Sequence, residues 1–527
     1  MHRTTVKHKG VVAAGHGQTA KAAAVILEAG GNAFDAALAA QFAACVAEPV
    51  FTSLGGGGFM LARSARGEST VYDFFTQTPR HAPPIKELDF YPVYAEFGTA
   101  RQEFHIGMGA IAAPGMVKGL FRIHAELGTL PIERIIEPAV RLARRGVRMN
   151  ALQAYCFVVV QQILRATPQS LATYRSPVDG KRLLRQGELL KQPLLADTLE
   201  ALAREGEQLF YRGEIAQRIA RDCREGGGSL SLDDLSRYRV IKRRPLTFRY
   251  RDYKLLTNPP PSSGGVLIAF TLKLLEQFDL PALGFGSAAY LALLARTMEA
   301  ADRARADIVS SGNGSATATA RALLSQAVVH AYRDAARERL ISQHGTTHIS
   351  VIDAKGNLAS VTTSNGEGCG YVVPGTGIML NNMLGEDDIN PAGFHRGAPG
   401  QRLSSMLAPT LILGADGSRF ACGSGGSKRI RTAMLQVLLN LMSFRMPVAS
   451  AVGRPRIHYE GGLLSLEGGF RAAELRRLAR EFPRRKIWTQ RNLFFGGVHT
   501  AGYDLKNKCF LGAGDPRRGG VCIKVRA

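Results

Sequence analysis

From Thr19 to Glu48, apolar residues, most of them alanine, recur at helical spacing and pause once at Gly30-Gly31-Asn32. The pattern predicts a helix, a stop, and a second helix with a fresh cap. The four glycines Gly55 to Gly58 open the apolar run Phe59-Met60-Leu61, so the backbone there needs either positive φ or close contact with another backbone. No Lys-Ser or Lys-Thr follows them, which favours a structural turn lining a pocket over a phosphate loop. Pro131 to Gly146 reads as an amphipathic helix with proline near its start and glycine at its end. Further helices are expected over 194–205 and 214–224. The Pro-rich loop Asn258 to Gly265 leads into an apolar helix over 266–276 and offers backbone amides to a cap or ligand. The small, polar stretch Ser310 to Thr319 is expected to be a flexible surface segment.

A different period begins at Gly345. Polar and apolar residues alternate to Ile352, turn through Asp353-Ala354-Lys355-Gly356-Asn357, and resume over Leu358 to Ser364, which predicts a half-buried hairpin. If Ile352 pairs with Leu358, the register sets Thr346 opposite Ser364, within the ~4.5–5.5 Å that separates cross-strand Cβ atoms. A slip of one residue would send the two hydroxyls to opposite faces. His348 reads as a packed histidine on this strand, and Asp515-Pro516-Arg517-Arg518 as a surface turn.

Composition narrows the class. Of 527 residues, 45% are hydrophobic and 21% charged, which excludes disordered, collagen-like and coiled-coil chains. At ~100–200 residues per domain the length suggests three or four units, or one large layered unit. The net charge of +24 raises nucleic acid, anionic membrane or acidic substrates as partners. Its densest region, Arg471 to Gln490, has few aromatics and reads as a solvated helix face, so no nucleic acid is expected. The seven cysteines are scattered without zinc-site spacing, and most are read as buried thiols. The basic N-terminus lacks the ~7–15 apolar residues of a signal peptide, and no run reaches the ~18 of a membrane span. The expected setting is therefore cytoplasmic and reduced.

Eight short stretches, in order, carry a resemblance: Gly30-Gly31-Asn32-Ala33, Leu54 to Leu61, Ala113-Pro114-Gly115, Pro259 to Gly265, Thr346-Thr347-His348, Leu380-Asn381-Asn382, Leu403-Ser404-Ser405-Met406 and Gly423-Ser424-Gly425-Gly426-Ser427. Over nearly the whole chain the sequence resembles the γ-glutamyltranspeptidase family of N-terminal nucleophile hydrolases. The resemblance implies an α+β fold, a four-layer αββα sandwich with largely antiparallel sheets. It also implies a proenzyme cut between Gly345 and Thr346 into chains 1–345 and 346–527, which remain together as a heterodimer and one folded unit. Thr346 would be the nucleophile, Ser364 its supporting hydroxyl, and Gly425 and Gly426 the oxyanion donors. Ser404, Ser405 and Glu386, with Asn365 and Glu367 flanking, would meet the donor. No cofactor and no metal are implied.

The donor-head positions depart from the family pattern. Phe75 stands where glutamyl-specific members carry a carboxylate-clamping arginine, and Arg80 is the nearest basic substitute. Gly366 replaces an expected asparagine. Met383-Leu384 removes a polar group ahead of Glu386, and the interval from Asn382 to Leu403 is short for a long lid. Taken alone, Ser404-Ser405 reads as a turn cap and Glu386-Asp387-Asp388 as a solvated loop. The leading expectation is a γ-glutamyltransferase or glutathione hydrolase acting on γ-glutamyl amides such as glutathione. The alternatives are an acylase or amidohydrolase of the same family with a non-glutamyl substrate and, from another class, an unprocessed basic binding protein.

Overall fold

The strands Thr347–Asp353 and Leu358–Ser364 form the expected hairpin in the expected register, with Ile352 opposite Leu358 and Thr347 opposite Thr363. The computed structural model describes residues 7–81, 83–97, 100–310, 318, 320, 322–325, 345–390 and 393–527. The hairpin occupies the middle of a seven-stranded antiparallel sheet whose spatial order is Val521–Arg526, His8–Ala14, Thr347–Asp353, Leu358–Ser364, Gly57–Arg63, Ser69–Phe74 and Ile241–Arg243. A six-stranded antiparallel sheet, ordered Cys509–Ala513, Gly497–Asp504, Arg419–Gly425, Thr410–Gly414, Tyr253–Thr257 and Leu246–Tyr250, stacks against it. Helices Gly17–Glu28 and Ala33–Ala47 cover the outer face of the first sheet, and Gly264–Leu275 and Arg429–Met442 that of the second. The four layers are the αββα sandwich that the resemblance implies. Each sheet mixes strands from before and after residue 345.

The hairpin is not half-buried: both strands are buried along their whole length. Its alternation separates two interior surfaces. Ile349 and Val351 pack with the alanine-rich helices, while His348, Ser350 and Ser360 face the second sheet. The polar side is tolerated there because its groups are bonded: His348 meets Thr362 Oγ1 and Ser350 Oγ at 2.8 Å each, and Ser360 Oγ donates to the Cys422 carbonyl. Gly423 makes room for the imidazole, since a Cβ there would lie 2.3 Å from it. His348 is thus the packed histidine expected.

Local signals fixed several other elements. Asn32 caps Ala33–Ala47 in a capping box with Asp35, and that helix is buried throughout, which its small side chains permit. Ile132–Arg145 starts after Pro131 and stops at Gly146, whose φ is 91°. Helices Pro193–Glu205 and Glu214–Glu225 also match. In the glycine run, close approach is the reason: a Cβ on Gly56 would lie 2.4 Å from the Ser364 carbonyl, and one on Gly58 2.5 Å from that of Thr362. Gly57 and Gly58 accordingly belong to a strand, not a turn. The amides at Ser263 and Gly264 are taken by the Ser405 carbonyl, so the Pro-rich loop is capped by the chain itself. Most of the segment 310–319 lies outside the described residues. Five cysteines are buried, whereas Cys509 and Cys522 are only partly so. Among the described residues no helix is long and apolar enough to cross a membrane.

Candidate active site

Thr346 lies one residue ahead of the central strand, at the end of the sandwich where Gly425 closes the facing strand. Three bonds hold the Gly345–Thr346 peptide. The Gly345 amide donates to Glu367 Oε1 at 2.5 Å, the Gly345 carbonyl accepts from Ser364 Oγ at 2.5 Å, and the Thr346 carbonyl accepts from Arg518 Nη1 at 3.0 Å. The Gly366 amide donates to Ser364 Oγ at 3.0 Å, which turns the hydroxyl proton toward Gly345. Glycine is required at two close contacts around this peptide. A Cβ on Gly345 would meet the Val50 carbonyl at 2.6 Å, and one on Gly425 the Thr346 carbonyl at 2.2 Å. Gly426, at φ 124°, completes the turn that leads into helix Arg429–Met442.

Three carboxyl groups gather behind this peptide. Glu367, Glu386 and Asp388 are all buried, which corrects the solvated-loop reading for the last two; only Asp387 is exposed. Burial pushes Glu367 up to about 8, against the opposing pull of the Gly345 amide and Arg518. Glu386 is raised well above the ordinary range by burial and by its acidic neighbours Asp388 and Glu367. Asp388 accepts from Ser427 Oγ at 2.5 Å. Gly366 has φ 63°, and a Cβ there would lie 2.0 Å from Asn382 Oδ1 and 2.2 Å from Glu386 Oε1. The side chain missing at position 366 is thus replaced in space by Glu386 and Asn382, the latter accepting from the Glu367 amide at 2.9 Å.

The other expected residues stand apart from this cluster. Asn365 reaches the Leu380 carbonyl at 3.4 Å and packs against Gly56. Ser404 Oγ donates to the Pro261 carbonyl and Ser405 Oγ accepts from the Leu407 amide. Among the described residues, no hydrogen bond joins either serine to Thr346. Phe75 is a core residue, 1% exposed and stacked on Phe59 at 5.4 Å between centroids. The guanidinium of Arg80, the nearest basic substitute in sequence, is 3.9 Å from Asp233 and over a third exposed. The guanidinium beside Phe75 is that of Arg402, which is engaged by Asp73, Tyr238 and the carbonyls of Phe75 and Arg239.

The reading of Asp515-Pro516-Arg517-Arg518 as a surface turn is overturned. It is a turn, but all its charged side chains are buried. Asp515 accepts from Arg456 at 2.6 Å and Arg517 at 3.1 Å, and Arg517 also pairs with Glu467 at 2.5 Å. Burial alone would raise the Asp515 carboxyl, but the two guanidinium groups hold it at about 2. This hub fixes the next residue, Arg518, against Thr346 and over the Phe51 ring, 5.2 Å from its centroid. Arg518 and Arg429, buried at the same place, are site residues that sequence reasoning missed. Arg518 ends the stretch read as a surface turn, and Arg429 stands two residues after the Gly423 to Ser427 stretch.

Among the described residues, no group of three or more His, Cys, Asp or Glu side chains is placed to hold a metal ion. What the arrangement offers is a threonine hydroxyl next to a carbonyl polarised by the Ser364 hydroxyl, with glycine backbone on both sides.

Residues 19–525 match the family described as gamma-glutamyltranspeptidase. The chain is 35% identical over 480 residues to the acylase ACY 1 proenzyme of Pseudomonas sp. (strain V22), an alignment covering 87% of this chain and 84% of that one. It is 32% identical over 480 residues to the glutathione hydrolase proenzyme of Escherichia coli (strain K12), covering 86% and 81%. In fold it is similar to the crystal structure of cephalosporin acylase from Bacillus halodurans, with a TM-score of 0.84 at 23% identity over 99% of this chain and 97% of that chain. The chain belongs to the gamma-glutamyltranspeptidase family.

Proposed function

We propose that this protein is the precursor of an N-terminal threonine amide hydrolase or acyltransferase that cuts itself between Gly345 and Thr346. The observation that carries the reading is the 2.5 Å bond from Ser364 Oγ to the Gly345 carbonyl, the one whose carbon Thr346 must attack. In self-cleavage the Thr346 hydroxyl adds to that carbon and Ser364 stabilises the negative charge forming on oxygen. The Thr346 nitrogen departs with the hydroxyl proton, leaving an ester that water hydrolyses. Chain 1–345 gains a carboxylate and chain 346–527 a free α-amine. With an ordinary pKa of ~7.7–8.0 that amine can take the proton from its own hydroxyl near neutral pH, which the amide nitrogen could not. Turnover repeats the chemistry on a substrate amide: Thr346 forms an acyl ester, the Gly425 and Gly426 amides support the oxyanion, the amine leaves, and water or an acceptor amine resolves the ester.

Two donors fit. Ser404, Ser405 and Glu386 support γ-glutamyl amides such as glutathione, the leading expectation. The buried, stacked Phe75 and the buried Met383 and Leu384 favour the second reading, an acylase for a non-glutamyl acyl group, because none of the three recognises a charged amino-acid head.

A mass spectrum of the purified protein tests the core claim. Wild type should give two chains, the smaller beginning Thr-Thr-His, and Thr346→Ala should give one. A wild-type chain that stays whole through long incubation would sink the proposal. Release of p-nitroaniline from γ-glutamyl and from other acyl anilides then ranks the two donors.

A further inference from the structure

Helix Ala33–Ala47 ends on Glu48, and the chain beyond it runs along the open end of the central hairpin. Glu48 Oε2 accepts from Thr347 Oγ1 at 2.7 Å, and a Cβ on Gly345 would meet the Val50 carbonyl at 2.6 Å. Glu48 and Val50 therefore bracket Thr346 from one side. Two residues further on, Thr52 Oγ1 bonds Thr363 Oγ1 at 3.0 Å and ties the same segment to the hairpin's second strand. Glu48 is 4% exposed, and its other oxygen accepts from Thr19 Oγ1 at 2.7 Å. With both oxygens accepting from hydroxyls, the bonding fits the ionised carboxylate. Gly15 makes room for it, since a Cβ there would lie 2.8 Å from Oε2.

No cation meets this carboxylate at close range. Among the described residues Glu48 forms no ion pair, and it stands at a helix C-terminus, where the dipole disfavours an anion. The groups around it are neutral near pH 7. Burial lowers the imidazoles of His16 and His499, the latter to about 4, and raises the thiols of Cys45 and Cys156 to about 12. Arg518 attracts it only through space. Glu367 and Glu386, beyond Gly345, are both raised by burial and carry little charge there. A buried carboxylate is costly to keep without a cation. Self-cleavage would supply one: the Thr346 nitrogen, an amide in the precursor, becomes an α-amine that can hold a proton. Burial of Thr346 and the Arg518 guanidinium, 3.0 Å from the Thr346 carbonyl, both disfavour that proton. We propose that Glu48 is a positioning residue of the matured protein, fixing the first strand of the smaller chain through Thr347 and serving as the counter-charge that keeps the Thr346 α-amine basic. The proposal rests on the reading that Thr346 becomes N-terminal.

The test titrates that amine directly in wild type, Glu48→Gln and Glu48→Asp. Cyanate carbamoylates only the unprotonated amine, so the labelling rate of the smaller chain's N-terminal peptide, read by mass spectrometry from pH 5 to 9, gives its pKa. The acid limb of kcat/KM for p-nitroaniline release reports the same group in turnover. The wild-type amine should titrate near the ordinary ~7.7–8.0 despite its burial. Glu48→Gln, which keeps the size and removes the charge, should still cleave and should move both the labelling curve and the acid limb down by ~1 pH unit. Glu48→Asp should restore most of the shift. A Gln variant that is slower at every pH with neither curve moved would make Glu48 a structural residue and overturn the inference while the proposed function stands. A wild-type amine titrating more than ~1 unit below the ordinary range overturns it without recourse to any variant. An amine that shifts with Glu48→Gln in a cleaved protein that hydrolyses no anilide supports the counter-charge and removes the proposed turnover. A wild-type chain that never cleaves removes both.

Discussion

Ser364 Oγ donates to the Gly345 carbonyl across the open end of the central hairpin, and its own oxygen accepts from the Gly366 amide. The hydroxyl is thus oriented before any bond is broken. Removing one preorganised oxyanion donor costs on the order of 10²–10³ in rate. Ser364→Ala should slow self-cleavage by about that factor, and Ser364→Thr should stay near wild type. Densitometry of the precursor band over time reads both, and an Ala variant that matured at the wild-type rate would remove Ser364 from the reaction.

Glu367 should make the precursor less stable as pH rises. Its carboxyl titrates at about 8 when folded against an ordinary 4.5, so between these values the folded chain holds a proton that the unfolded chain has released. Its contribution is most favourable below 4.5 and is lost as pH climbs to about 8. Glu386 acts in the same direction, while Arg518 and the Gly345 amide oppose the shift and Asp388 adds to it. Urea midpoints of Thr346→Ala at pH 5, 6.5 and 8 should therefore fall more steeply than those of Thr346→Ala with Glu367→Gln. Parallel curves would show that Glu367 is ionised throughout.

Gly425→Ala places a methyl group 2.2 Å from the Thr346 carbonyl, a backbone atom that cannot swing aside. The expected product is a chain that accumulates as precursor. Gly17→Ala, where a Cβ meets nothing within 4 Å, should mature normally and serves as the control. Comparable maturation of the two would mean that the facing strand yields more readily than its packing indicates.

Arg456→Met breaks the buried pair with Asp515 and leaves a carboxylate without one of its two cations. Such losses cost roughly 3–5 kcal/mol. Arg485→Ala, on the exposed surface, should change stability by less than about 0.5 kcal/mol. Urea unfolding in the Thr346→Ala background separates the two. Because the hub fixes Arg518, Arg456→Met should also slow cleavage.

The hairpin and its register were legible because a period of two and a short turn admit one pairing. The helices before it were legible because Asn32, Gly30 and Gly146 are local signals that act within a turn or so of chain. What escaped depends on partners far along the sequence. Asp515 and Arg517 read as a turn, and they form one, but they are buried by Arg456 and Glu467, which lie 59 and 50 residues away. The polar face of the Thr347–Asp353 strand read as solvent-facing because the second sheet that covers it could not be seen from alternation. Arg429 was hidden in a run of basic residues whose composition suggests water, whereas the helix it begins turns it inward.

The strand that starts at Thr347 is flanked by His8–Ala14 on one side and, beyond its hairpin partner, by Gly57–Arg63 on the other. A cut after Gly345 would therefore leave neither product with a sheet of its own. The two pieces could not drift apart on dilution, nor could one be exchanged for a fresh copy, without unzipping the interior of the molecule. Maturation on this plan has a compulsory order: the whole chain folds first, and the scission that follows acts as a nick in a finished protein. Two separately folded halves would have no route to assemble into it.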